Sequence, residues 1–386
     1  MPEKHYLVTP GPTPVPPEVL RAVSAPMIHH RGPEFRAILA RVLERLAHVF
    51  RTENDILLYT AAGTGALDGA VANLCSPGDG VLVVSHGYFG ERWAAIARAY
   101  GCDLVHLRYP WGEAPSADDV GEKLAEMGGA KVVFLTHSET STGVVADVRA
   151  IAERLEGSGA LVAVDAISSL AAVPLETDAW GLDVVVTSSH KALMTPAGLA
   201  LTSVSPAALE AAGRSLSPRF YFDWERTRRA QATAPPENPF SPAISLVLGL
   251  DVALELLLAE GLEAAHERHV RLGRACRAGA KAMGLELFSP DEDRAAVVTA
   301  VRTPPEVDSS AIVLSMRERS GVTVVGGQSE LKGKIVRIGH IGYIDVFDVT
   351  TALAALEVAL VEAGAEVERA VAVTAALEAY AEPVAV

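Results

Sequence analysis

Cysteine is scarce in this 386-residue chain: Cys75, Cys102 and Cys276 stand far apart, odd in number and without metal-type spacing. That argues against a disulfide framework and fits a reducing cytoplasm. Basic charge is also in deficit. A formal net charge of -15 speaks against a nucleic-acid partner and against an anionic membrane surface. No uninterrupted apolar run reaches the roughly 20 residues of a membrane-spanning helix. The start, "MPEKHYLVTPGP", has no basic stretch leading into an apolar one, so no secretory signal is expected. Internal repeats and low-complexity tracts are absent. Lysine is sparse too, and one of the few, Lys191, lies between two apolar runs in "LDVVVTSSHKALMTPAGLALTSVS".

What is present is an alternation of strands and helices. "DILLY", "GVLVVS", "KVVFLTH", "ALVAVDA", "LDVVVTSS" and "LALTSVS" are short, nearly continuous apolar runs separated by helical stretches. Strands of that kind are buried on both faces, which predicts an α/β fold around a mostly parallel sheet. After "RFYFDWERTRRAQATAPPENPFSP", read as a long irregular connection, the spacing predicts a helix over 244–260 and another through 268–283. The remainder, with "AAVVTAVR", "VTVVGG" and "KIVRIGH", predicts a smaller α+β unit. The expected division is a large domain over 16–243 and a small one built from 1–15 plus 244–386.

Ligands of an open parallel sheet bind outside the carboxyl ends of its strands. The first strand delivers "TAAGTGAL", where Gly63, Thr64 and Gly65 open a helix whose free N–H groups suit a phosphate, although such a turn is commonly only a turn. The second delivers Tyr88 and Phe89, able to cover a planar ring or simply to pack. The third delivers "THSETSTG", a set of hydroxyls around Thr140 that also serve turns and caps. The fourth ends in Asp165, a carboxylate after small apolar residues, costly unless paired or hydrogen-bonded. The next brings Ser188, Ser189, His190 and Lys191. An amine that can form a Schiff base, a carboxylate that can keep a heteroaromatic nitrogen protonated, a phosphate cradle and an aromatic cover together describe a pyridoxal-phosphate site.

"TPGPTPVPPEVL", "AAGTGALDGAV", "THSETSTGV", "VDAISSLAAVPLETDAWGLDVVVTSSHKALMTPAGLA" and "GGQSELKGKIVRIGHIG" resemble, in order, blocks of the class V aminotransferases. Within that family the resemblance is to the alanine–glyoxylate and serine–glyoxylate branch, and it covers nearly the whole chain. It implies the aspartate-aminotransferase-like fold of type I with a seven-stranded type of sheet, pyridoxal 5'-phosphate, and a homodimer whose active site is shared across the interface. It also implies a set of roles. Lys191 would bind the cofactor and carry protons, Asp165 would pair with the pyridine nitrogen, and Ile167 would pack on the ring. Gly63 and Thr64 would hold the phosphate, and Thr140 would approach the ring's 3-oxygen. Arg337 would take the substrate carboxylate bidentately, in a pocket lined by the backbone at Gly11. Phe89 stands where relatives often have tryptophan, and His190 where they often have glutamine. Asn238 and Ser241 compete for the partner's phosphate contact, and Ser241 is preferred. His29, His30 and Arg31 would line the pocket mouth or cap the next helix. Arg337 has a plainer alternative, pairing with a structural carboxylate.

The activity expected is ping-pong transfer of an amino group from alanine or serine to glyoxylate or pyruvate. Two other classes stay open. A lyase of the same fold, such as a cysteine desulfurase, wants a mobile cysteine after the lysine. Only Cys276 follows Lys191, inside the helical "VRLGRACRAGAKAM". A catalytically silent structural relative would have lost Lys191, Asp165 or Arg337, and all three are present.

Overall fold

The computed structural model describes residues 4–384. Seven strands form the large sheet: β1 Asp55–Thr60, β2 Gly80–Ser85, β3 Asp103–Arg108, β4 Val132–Thr136, β5 Leu161–Asp165, β6 Val184–Ser188 and β7 Leu199–Val204. Their spatial order is β1-β7-β6-β5-β4-β2-β3. Only β7 runs antiparallel to its neighbours. The pleat explains the continuous apolar runs. In β4, Val133 and Leu135 point into one core with Leu39, Leu46 and Val164, while Val132 and Phe134 point into the opposite core with Leu67 and Trp93. With helices on both faces, every strand position needs an apolar side chain.

The strand β3 was not anticipated. It lies at the sheet edge, is only half-buried, and alternates polar residues such as His106 and Arg108 into its run. The connection after Phe220 is also less irregular than expected. Trp224–Gln231 is a helix capped by the Asp223 carboxylate, which accepts from the Arg226 N–H at 3.0 Å. It buries only Trp224 and Thr227, so it shows no apolar stripe.

A second unit gathers around a three-stranded antiparallel sheet with Ile335–Gly339 between Val298–Arg302 and Val325–Gly326. Its core holds Leu272, Met316, Val336, Ile338 and Leu353. The helix Ile244–Glu260 packs Val247, Leu250, Leu254 and Leu257 into the core of the large sheet. The helix after it spans Leu262–Ala282, beginning earlier than the 268 expected. The C-terminal helix Ala372–Ala381 buries Ala372 and Ala376, and the Tyr380 carbonyl accepts from Arg271 Nε at 2.8 Å. The last two residues of the predicted tail lie outside the described part. Among the described residues no helix is long and apolar enough to cross a membrane.

The proline-rich N-terminal segment runs between the two units. Val8 O accepts from Gly339 N at 3.0 Å on one side, and Thr13 Oγ1 donates to Lys191 O at 3.1 Å on the other. It therefore sets the distance between Lys191 and the strand that carries Arg337.

Candidate active site

The carboxyl ends of β1, β2, β5 and β6 meet around a cavity of about 270 Å³. Its lining includes Gly11, Gly63, Thr64, Phe89, Asp165, Ile167, His190 and Lys191. Eight of the residues singled out from sequence are thus brought to one place by four strand ends and the N-terminal segment.

Lys191 sits in the tight turn after β6, where its carbonyl accepts from Met194 N at 3.0 Å. Its amine is buried and donates to the Pro10 carbonyl. Burial lowers its pKa from 10.5 to about 8, against the opposing pull of Asp165. A lysine so placed is partly neutral near physiological pH and can act as a nucleophile or base. Asp165 is the last residue of β5. Its Oδ1 accepts from Ile167 N at 2.8 Å. Burial raises its pKa to about 7; Glu139 nearby adds to the rise, while Arg92 and Lys191 oppose it. A cation bound beside it would complete the pair and keep it ionised.

The helix Gly63–Leu74 begins at the cavity, and its N-cap, Ala62, offers no side-chain cap. A Cβ at Gly63 would lie 2.6 Å from Ile167 Cδ1, so only glycine lets the two approach. Thr64 Oγ1 accepts from Arg92 Nη1 at 2.9 Å. Uncapped backbone N–H groups, a hydroxyl and a guanidinium make an anion site. His190 stands beside it, its Nδ1 3.0 Å from Ser188 Oγ, and burial next to Lys191 lowers its pKa to about 4. It is a neutral hydrogen-bonding group there, adding no charge.

Arg337 is in the middle of the strand Ile335–Gly339; it does not line the cavity, but its charge acts on the Lys191 amine. Nη1 donates to Thr140 O at 2.7 Å and Nε to Gly326 O at 2.9 Å. No carboxylate among the described residues forms an ion pair with it, so the plainer structural-pair reading of Arg337 finds no partner. Burial pulls its pKa down to about 10, which leaves it charged. Two backbone carbonyls aim the guanidinium while its charge stays available for a ligand carboxylate.

Several expected residues lie elsewhere. Thr140 is buried and reaches the site through its carbonyl on Arg337. Ser241 is exposed on the irregular stretch before Ile244 and lines no part of this chain's cavity. Asn238 is nearly buried, with Oδ1 unpartnered. His29, His30 and Arg31 precede the helix Pro33–Phe50 and stay outside the cavity lining. Tyr88 opens the helix Tyr88–Ala99 beside Phe89, but only Phe89 faces the cavity. Ala62, Ser138 and Ser168 line the cavity without having been singled out, and two charged residues also escaped the sequence reading. Arg92 lies one turn beyond Phe89, its guanidinium carbon 4.9 Å from the Phe89 ring centre. Glu139 is fully buried between β2 and β4. The i, i+3 spacing of Phe89 and Arg92 was the one available signal.

These groups fit pyridoxal 5'-phosphate. The uncapped helix start can take a phosphate, the buried amine an aldehyde, the Asp165 carboxylate a ring nitrogen, and Phe89 and Ile167 the ring itself.

The family model described as aminotransferase class-V matches residues 5–344. The soluble hydrogenase small subunit of Synechococcus is 41% identical, covering 94% of this chain and 95% of that protein. The serine–glyoxylate aminotransferase of Methylorubrum extorquens is 34% identical over 95% of this chain and 93% of its own length. Among solved structures, the ureidoglycine–glyoxylate aminotransferase of Bacillus subtilis superposes with a TM-score of 0.94 at 30% identity, covering 99% of both chains.

Proposed function

The chain belongs to the class V aminotransferases, and from that premise we propose that it moves the amino group of a small amino acid, alanine or serine, to glyoxylate or pyruvate. It is a pyridoxal-phosphate-dependent enzyme of the fold type I architecture. The bound cofactor supplies an aldehyde carbon to accept the amino group and a protonated ring to take up negative charge.

The observation that carries the substrate reading is Arg337. Its guanidinium is held by two carbonyls and left without a carboxylate partner among the described residues. A bound α-carboxylate would supply that partner, held by a guanidinium whose charge acts on the Lys191 amine. Lys191, partly neutral, then removes the α-proton and returns it across the site as general acid. Asp165 would keep the ring nitrogen of the bound cofactor protonated. Pro10 and Thr13, both buried, hold Lys191 from the N-terminal segment: the Pro10 carbonyl accepts from its amine and Thr13 Oγ1 donates to its carbonyl at 3.1 Å, while Gly11 is half-buried and Pro12 exposed.

The site gathers an amine, a guanidinium and carboxylates. That favours amino transfer over the hydrogenase name carried by the Synechococcus relative. The lyase alternative has less support. Cys276 is fully buried in the middle of the helix Leu262–Ala282, and burial raises its pKa to about 11. We also propose a homodimer in which Ser241, exposed on its own chain, reaches the partner's phosphate site. We propose a cytoplasmic location as well, which three cysteines without a disulfide among them support.

The test is a panel of alanine, serine and aspartate against glyoxylate and pyruvate, each half-reaction followed by the cofactor's absorbance. Alanine or serine should react fastest. Preference for aspartate, or no reaction with any donor, would refute the assignment.

A further inference from the structure

One buried carboxylate near the site has no place in the chemistry above. Glu139 follows β4, and its side chain crosses to the loop after β2, the neighbouring strand in the sheet. Oε2 accepts from Phe89 N at 2.9 Å and from Gly90 N at 3.1 Å. Oε1 accepts from Ser141 N at 3.0 Å and from Ser141 Oγ at 2.7 Å. The helix Tyr88–Ala99 starts at Gly87, which has no side chain to cap it. A Cβ at Gly87 would overlap Glu139, so the glycine makes room for a cap supplied from another strand. Glu139 O accepts from Gly143 N at 2.8 Å, which closes the turn containing Thr140. The Thr140 carbonyl in turn holds Arg337 at 2.7 Å.

We infer that Glu139 is a positioning residue: one carboxylate fixes both the aromatic that covers the cofactor ring and the turn that aims Arg337 at the substrate. Burying an ionised group this deeply is costly, and burial raises its pKa. Four N–H and O–H donors offset that cost. The donors come in two pairs on opposite oxygens, so a neutral amide of the same shape cannot serve both. The NH2 of glutamine would face either two backbone N–H groups or the Ser141 N–H, donor against donor. This inference rests on the aminotransferase reading, in which Arg337 meets the carboxylates of donor and acceptor alike.

The experiment compares holoenzyme of the natural sequence with Glu139→Gln, recording steady-state constants for both substrates and the visible circular dichroism of the bound cofactor. Losing hydrogen bonds to the charged group should raise KM for donor and acceptor together by about tenfold, with kcat within about threefold, and cut the dichroism by about half. A substitution that merely loosens the fold would leave the KM and dichroism of the folded fraction untouched. Unchanged KM and dichroism in E139Q overturn the inference. If E139Q does not fold, Ser141→Ala removes one donor to Glu139 and the acceptor of the Tyr88 N–H at 3.0 Å, and should raise both KM values by about threefold; unchanged values there overturn it equally. A natural-sequence enzyme that neither binds pyridoxal 5'-phosphate nor transaminates would instead defeat the functional reading beneath it.

Discussion

Replacing Gly11 with alanine is the sharpest small perturbation of the site. Gly11 has φ +138, a conformation open essentially to glycine alone, so any side chain there costs about 1–3 kcal/mol in backbone strain. The added methyl has no space either. Its carbon would stand 2.6 Å from Lys191 Cδ, whereas carbons in contact sit about 3.5–4.0 Å apart. The lysine must retreat by about 1 Å, with its amine drawn off the Pro10 carbonyl. A displacement of that size at a reacting group costs about 100-fold in rate. Gly11→Ala should therefore fold, lose about 1–3 kcal/mol in urea unfolding, and transaminate about 100-fold more slowly. Slower capture of pyridoxal 5'-phosphate by the apo protein should accompany this. Stopped-flow absorbance and a coupled keto-acid assay measure both. Natural rates in a folded Gly11→Ala protein would refute the placement of the N-terminal segment against the amine.

Further outcomes follow from the same geometry. Arg337→Lys keeps a charge but loses the planar fork, and should raise KM for the amino donor by about 10- to 100-fold while leaving cofactor binding intact; a KM within twofold of natural would be contrary. Burial lowers the Lys191 pKa to about 8, so the amine is protonated below that pH and neutral above it. The rate of cofactor capture should climb about tenfold from pH 6 to 7 and level off above pH 8; a plateau reached only near pH 10 would show an unperturbed lysine. Cys276→Ser should leave transamination within about twofold and change no sulfide release, since its thiol is sealed in a helix; loss of activity with the fold preserved would revive the lyase alternative.

Much of the fold is legible in the sequence for a definite reason. Strands buried on both faces are written as apolar runs, and the residues that end them stand at the carboxyl edge where ligands bind. Asp165, Lys191 and Gly63 could be gathered from those runs alone. The edge strand β3 could not, because a half-buried strand carries His106 and Arg108 in its run. Glu139 was hidden by topology. It meets Phe89 because β2 and β4 are neighbours in space although β3 separates them in the chain, and no local pattern records that adjacency. Arg92 was hidden for a related reason: an arginine on an amphipathic helix looks like any solvated charge until the sheet turns it toward Thr64. Ser241 lies outside this chain's cavity.

The most direct test of amino transfer through Lys191 uses the amino donor with no 2-oxo acid added. Holoenzyme given alanine or serine alone should release one equivalent of the corresponding 2-oxo acid per site and then stop, its visible absorbance shifting once. Lys191→Ala should release none at a comparable rate. Continuous turnover without an acceptor, or a normal burst from Lys191→Ala, would contradict the account.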